Sequence, residues 1–515
     1  MWQASQRVDR LRAETSKTRR STARESYTPL MTQFPSFEHG QQDGVELLMS
    51  PLPGPLTAAL TFRAGTAAAS FRTHPVPHLL EHLVLSTLPR GPYELNGTTT
   101  VEDLSFHITG TPQQVRDALH GICEAVRRLP LDRLAHEARV IGVETDASGE
   151  SLVGMHSVLR YGLRGAGLEG LRTVPADQIT PEQLTDFARR HLVSGNVVLA
   201  LTGPVPDGLH LDLPPGPRTS ITTELRADVT LPALLRSEAP LTAINIETAD
   251  EPAAALMARL LRERAEARLR HQLGISYSVD MERIMVTDDR VLRIVAADGR
   301  GDDAQQIAGE IISALRALAD HGPAAEELAE DARRLEETLR DPRSHRDLLW
   351  DQAHRVLNGH PVLPPQELLD QSRAVTAGAV RDAAREALGT ALLTVPEEAD
   401  VDAELLGMVD RTEEEWPLDP EVAGTVHGRR LLSTAPRDLR VVIGEAGLSI
   451  RVLGTAASFP WDQVVGVEKS EGWLGIMRAD GRSQSIAPRS LRQGDELARA
   501  VEERMCHVLY EAADD

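Results

Sequence analysis

His78-Leu79-Leu80-Glu81-His82 is the stretch on which the reading of this 515-residue chain turns. On a helix, His78 and His82 lie one turn apart on one face and can grip one metal ion together. Glu81 falls one residue before the second imidazole, where its carboxylate can take a proton from a water attacking beside the metal. The order H-x-x-E-H is an inverted form of a zinc signature. The competing reading is an amphipathic helix carrying two incidental histidines, because a chain with 17 His and many Glu can match by chance. A third ligand separates the two readings, since catalytic zinc commonly takes three protein ligands and Asp or Glu can be one. Residues 131–144 read as a helix with apolar Leu134, Val140, Ile141 and Val143. Glu137 and Glu144 sit on it two turns apart, on one face.

Together, His78-x-x-Glu81-His82 and Glu137-x-x-Val140-Ile141-x-x-Glu144 resemble the pitrilysin or insulinase family of zinc peptidases. The resemblance implies one Zn²⁺ per chain held by His78, His82 and Glu144, Glu81 as catalytic base, and Glu137 as a support behind the ligands. Phe62-Arg63-Ala64-Gly65-Thr66 is similar to the strand and turn that precede the motif in that family. Asn96-Gly97-Thr98-Thr99 resembles its Asn-Ala-x-Thr segment, which implies that Asn96 binds substrate, and residues 104–108 alternate as the following strand should. A second segment, Leu269-Arg270-His271-Gln272-Leu273-Gly274-Ile275-Ser276-Tyr277, resembles one whose Arg and Tyr reach bound substrate. It implies that Arg270 and Tyr277 are catalytic donors to a carbonyl oxygen gaining charge. Read alone, Arg270 suits a surface ion pair and Tyr277 a core aromatic at a strand start. The chain departs from the family in one respect: only 61 residues separate His82 from Glu144, and the shortening falls between His82 and Asn96. A helix and loop that close one side of the site are expected to be trimmed there.

The length exceeds one core and predicts about three domains. Aromatic residues make up 3% of the chain, so the core must rest on Leu, Val and Ala. Two cysteines, Cys123 and Cys506, exclude a disulfide framework, fit a reducing compartment, and read as buried small hydrophobes. Nothing resembles a transmembrane segment or a signal peptide, which predicts a cytoplasmic protein. The net charge of −22 disfavours nucleic acid and anionic membrane as broad partners and favours solubility and the attraction of basic peptides.

An internal repeat is visible. Thr180-Pro181-Glu182-Gln183 opens a helix with a capping box, and a strand follows at 196–201. Near residue 375 the pattern recurs, with Thr376, a helix to about Leu388 and a strand at 391–395. The sequence therefore predicts an α+β fold with two similar α/β halves, which in the resembled family form a clam-like chamber. The expected boundaries are 1–30, a disordered basic lead-in with Met31 as an alternative start; 31–215, the zinc-bearing half; 226–395, the second half; 396–424, an acidic linker around Glu413-Glu414-Glu415; and 425–515. The Pro- and Gly-rich stretch 204–225 reads as a linker between the halves. Residues 425–515 show short alternating strands and a helix at about 495–509, which resembles a small pleckstrin-homology-like (PH-like) β-barrel with a C-terminal helix. Arg429, Arg430, Arg440, Arg478 and Arg482 could serve a lipid site there, but protein docking is the preferred reading.

The expected activity is zinc-dependent endopeptidase action on peptides or small unfolded proteins. The alternatives are an inactive binding or assembly subunit, or an adaptor acting through the C-terminal module. A homodimer or heterodimer is compatible with either.

Overall fold

The run Val197-Val-Leu-Ala-Leu201 is apolar at every position, and it forms a strand buried on both faces near the centre of a six-stranded sheet. The structure is a computed structural model that describes residues 34–89, 94–147, 151–220, 222–226, 229–412 and 419–512. The lead-in expected at 1–30 and the Glu413-Glu414-Glu415 run lie outside the described residues.

The first sheet holds β1 (Glu38–Gln42), β2 (Val45–Met49), β3 (Leu56–Phe62), β4 (Glu94–Thr99), β5 (Leu104–Gly110) and β6 (Val197–Leu201), in the order β1-β2-β6-β3-β5-β4. Its helices are α1 (Val76–Ser86), α2 (Pro112–Arg127), α3 (Leu134–Ala147), α4 (Leu152–Tyr161) and α5 (Pro181–His191). The second sheet holds β7 (Ala233–Ser237), β8 (Thr242–Ala249), β9 (Val279–Met285), β10 (Arg290–Ala297), β11 (Leu392–Pro396) and β12 (Val409–Asp410), in the order β12-β7-β11-β8-β10-β9. Its helices are α6 (Pro252–Glu266), α7 (Ala304–His321), α8 (Ala325–Arg340), α9 (His345–Leu357), α10 (Pro365–Ala374) and α11 (Ala377–Gly389). The five inner-to-edge strands of each sheet correspond in order and direction. β2 runs parallel to β6 as β7 does to β11, and the remaining pairs are antiparallel. The repeat is therefore real: Thr180 and Thr376 each cap the helix that feeds the equivalent strands β6 and β11.

Alternation along the strands explains how the halves meet. Val197, Leu199 and Leu201 face the core made with α1, α2 and α5, whereas Val198 and Ala200 face Leu349, Ala353 and Val356 of α9, a helix of the second half. Reciprocally, Tyr161 of α4 packs with Ala243, Leu292, Ile294 and Ala296 on the free face of the second sheet. Each half thus lends a helix to cover the other.

Parts of two expected linkers are folded structure. In 204–225, Leu209, Leu211 and Leu213 are buried in the first core, and His210 and Leu211 donate backbone N–H groups to His120 and Asp43. In 396–424, Ala399, Val401, Ala403, Leu406 and Met408 enter the second core, and β12 extends its sheet.

Residues 425–512 form β13 (Thr425–Gly428), β14 (Arg440–Ile443), β15 (Gly447–Val452), β16 (Thr455–Pro460), β17 (Val464–Ser470), β18 (Trp473–Arg478), β19 (Ser483–Ile486), α12 (Gly494–Arg504) and β20 (Leu509–Glu511). The strands make two four-stranded sheets, β13-β14-β15-β16 and β19-β18-β17-β20, and do not close into the expected barrel. The last helix ends at Arg504 because residues 509–511 leave it to pair with β17. That final strand also docks on the first half. Arg72 donates to Leu509 O, Gln178 exchanges hydrogen bonds with Glu511, and Phe71 packs against Tyr510 and Gly466, where a Cβ would lie 2.4 Å from the ring. Arg478 and Arg482, counted above toward a lipid site, are buried against Asp419 and Asp480 instead. Cys123 is buried but Cys506 is exposed, contrary to the expectation for the latter.

Buried histidines make this fold acid-sensitive. Burial holds both His74 and His156 down to about 4, so each stays neutral at a pH where the unfolded chain is protonated. Stability is then complete above the ordinary histidine value and falls as pH drops toward 4, by about 2 kcal/mol per histidine at pH 5. Thermal melting of native protein and His156→Gln between about pH 7 and pH 5 checks this, and the variant is expected to lose less stability on acidification.

Candidate metal centre

α1 begins with prolines at positions 75 and 77, which suit a first helical turn, and buries Val76, Leu79, Leu80, Leu83 and Val84 completely. The face left over carries His78, Glu81 and His82. On α3, Ala138 and Ile141 point into the core, while Val140 and Val143, two of the apolar residues read there from sequence, are exposed. That rotation turns Glu137 and Glu144 toward α1.

The result is a convergent donor set. One nitrogen each from His78 and His82 and one oxygen of Glu144 all lie within 4.8 Å of one another. Glu144 Oε2 is 3.4 Å from His82 Nε2 and 3.7 Å from His78 Nε2. Two imidazoles and a carboxylate are the donor chemistry that suits zinc, so the residues fit the ion. Burial, and then the neighbouring His82, hold His78 below the ordinary histidine value, which favours the neutral form with a free lone pair. Behind the set, Glu137 Oε2 lies 3.6 Å from His82 Nδ1, and Arg133 donates to Glu137 Oε1 at 2.8 Å. A carboxylate on the far nitrogen of a ligating imidazole fixes the ring and its tautomer.

Glu81 is 7% exposed, and Thr99 Oγ1 donates to its Oε2 at 2.6 Å. Burial raises its carboxyl above the usual range, against the pull of Thr99 and His82. Gly97 on β4 makes this placement possible: a Cβ there would lie 2.5 Å from Glu81 Cγ and 2.6 Å from its Oε1. Asn96 is exposed on β4, the edge strand of the first sheet, opposite His107 of β5. A cavity of about 570 Å³ opens at this site, lined by His78, Thr99, Glu144, Thr66 and Glu169 with residues 170–172 and 174–177 as its far wall.

Arg270 and Tyr277 do not line that cavity. Arg270 sits on a π-helical continuation of α6 (Ala267–Leu273), pairs with Glu266 at 3.4 Å, and places its guanidinium 5.4 Å from the Tyr277 ring centre. Tyr277 is 79% exposed, so it is not the core aromatic its position suggests when read alone. Asp298 fixes its loop by accepting from Ser276 Oγ and from the backbone N–H of Tyr277 and Ser278. Although burial alone would raise Asp298, those hydrogen bonds hold it below the ordinary value. Sequence reasoning missed Thr99, Gly97, Arg133 and Asp298 as functional positions. Only Arg133, four residues before Glu137 on a helix, carried a readable signal.

The fold is similar to that of several known structures. An inactive peptidase M16 domain from Pseudomonas fluorescens matches with a TM-score of 0.57 at 15% identity, over 71% of this chain and all of that one. The periplasmic protease PqqL from Escherichia coli matches with 0.58 at 16%, over 86% of this chain and 57% of that one. Pitrilysin matches with 0.57 at 14%, over 80% of this chain and 52% of that one. No family model matches the sequence, and no curated protein matches it significantly. The chain thus has the pitrilysin-like, peptidase M16 fold, of the α+β class, and spans about half the length of pitrilysin.

Proposed function

We propose that this chain is a zinc-dependent endopeptidase of peptides or small unfolded proteins. The observation that carries the reading is the convergence of His78, His82 and Glu144 beside a buried Glu81. His78, His82 and Glu144 would hold Zn²⁺, which when bound supplies Lewis acidity toward a substrate carbonyl and an attacking water. Glu81 then accepts the proton of that water and returns it to the leaving amine, a role suited by its raised basicity. Thr99 keeps the carboxylate in place, and Glu137, held by Arg133, steadies His82. The open edge of β4 at Asn96 would receive an extended peptide as an added strand. Arg270 and Tyr277 would donate to the developing oxyanion only if brought to the cavity, by movement of the second half or by a second chain.

That last condition favours one other reading, an inactive binding or assembly subunit, because the pair stands outside the cavity. Metal removal separates the two. The purified chain is expected to carry about one zinc, to cleave a mixed peptide pool, to lose cleavage on chelation and to regain it with zinc. Stoichiometric zinc without cleavage of any peptide supports the binding subunit. Absence of zinc binding rejects the peptidase. Among the described residues no helix is long and apolar enough to cross a membrane.

A further inference from the structure

We propose that the C-terminal module, residues 425–512, positions the far wall of the metal cavity through Arg72, Gln178 and Tyr510, and thereby sets how tightly the cavity holds a substrate. The consequence for substrate rests on the peptidase reading above; the positioning does not. The wall belongs to the connection between α4, which ends at Tyr161, and α5, which begins at Pro181. Two single turns of 3-10 helix lie in it, Gly165–Leu168 and Ala176–Gln178, and the stretch between them lines the cavity with no helix or strand of its own. Such a segment keeps one shape only where outside groups hold it.

Its apolar anchors are Leu168 and Val174, both buried. The small core they enter is made with Phe71 and with Tyr510 of β20, flanked by Val465 of β17 and Met477 of β18. Neither residue belongs to the main core of the first half or to that of the module. Both ends of the connection are pinned to the module as well. At its start Leu163 N–H donates to Ala479 O at 2.9 Å, and Gly162 comes so close that a Cβ would lie 2.5 Å from the same oxygen. At its end the Gln178 amide donates to Glu511 O at 2.7 Å and accepts from Glu511 N–H at 2.8 Å. Arg72, itself buried, bridges the two, donating to Gln178 O at 2.8 Å and to Leu509 O at 3.1 Å. The first half adds polar ties, from Thr66 to Glu169 and from Arg172 to Thr145 O, each at 2.8 Å. The module supplies the packing behind them.

The same contacts reach the metal helix. The Phe71 ring centre lies 6.1 Å from that of Tyr510, and Phe71 O accepts from His74 Nδ1 at 2.8 Å. His74 is buried, lines the cavity beside the wall, and lies against the Leu171 backbone. It stands next to Pro75, the N-cap of α1, and His78 follows within one turn. A shift of β20 is therefore felt at the wall and at the start of α1, not in the module alone.

Gly466→Ala drives a wedge into this contact, because a Cβ there meets the buried Phe71 ring, while the backbone, which has no positive φ, accepts alanine. The test is amide hydrogen exchange of the full chain, native and variant, read in peptides spanning residues 165–178. The variant is expected to exchange there about tenfold faster, with α12 and β14 of the module unchanged. Unchanged exchange at 165–178 overturns the proposal. If wall and module loosen together, Gln178→Ala decides, since it removes the tie to Glu511 and leaves the core of the module intact. Faster exchange at the wall then supports the proposal, and no change overturns it. Peptide cleavage reads the consequence for substrate: Gly466→Ala is expected to raise KM about tenfold and to keep kcat and zinc content near native, because no ligand or base is altered. A fall in kcat at native KM overturns that consequence. Absence of cleavage by the native chain rejects the peptidase and leaves the exchange result standing.

Discussion

Replacing Glu81 by Gln is expected to slow peptide hydrolysis by about a thousandfold while leaving the bound zinc in place. Gln is nearly the same size as Glu, so the contact with Gly97 is preserved and its amide oxygen can still accept from Thr99. What is lost is a carboxylate beside the convergent donors His78, His82 and Glu144 that can take a proton without also holding the ion. The burial that raises Glu81 is part of its fitness as a base: a carboxyl nearer neutrality in its proton affinity takes a proton from water more readily. Metal content and single-turnover cleavage, measured side by side, check the assignment. Loss of rate with zinc retained places the proton transfer on Glu81. Loss of zinc would instead make it part of the ligand scaffold, and an unchanged rate would remove it from the chemistry.

Much of this site was legible because a helix fixes spacing locally. The i, i+4 pair His78 and His82 and the i, i+7 pair Glu137 and Glu144 must share faces wherever their helices go. The sequence did not say which way α3 is rolled. Of its apolar residues, Ile141 is buried with Ala138, whereas Val140 and Val143 face outward. Thr99 and Gly97 were quoted within a motif, yet their roles depend on β4 crossing Glu81, a tertiary contact that no local pattern reports. Composition misled twice. Prolines and glycines at 204–225 hid the alternating Leu209, Leu211 and Leu213, and acids at 396–424 hid Val401, Leu406 and Met408, all of them buried. The stretch 196–201 reads as a strand, but does not say that both faces of β6 are buried, the second by a helix from the other half.

Arg160→Met is expected to destabilise the whole protein by about 3 kcal/mol, the largest effect anticipated for any position outside the metal centre. Arg160 is 1% exposed on α4, the helix that the first half lends to the second sheet. Its Nη1 donates to Thr390 O at 2.8 Å and reaches Asn245 O at 3.5 Å, and its Nε lies 3.6 Å from Glu247 Oε2. Tyr161 beside it donates to the same Glu247 oxygen at 3.0 Å, and Arg290 approaches the other. Methionine fills most of the volume, so the cost is electrostatic: the carbonyls of Thr390, just past α11, and of Asn245, within β8, lose a donor, and Glu247 loses a cation. Because these partners belong to β8 and to the turn before β11, the loss falls on the contact between the halves rather than within either core. Urea unfolding of native and variant protein measures it. A shift of this size with one transition shows that the two halves unfold together. Two separated transitions in the variant would show that Arg160 is what couples them, and a negligible shift would mean that the apolar contacts of Tyr161 and Ala166 hold α4 in place without it.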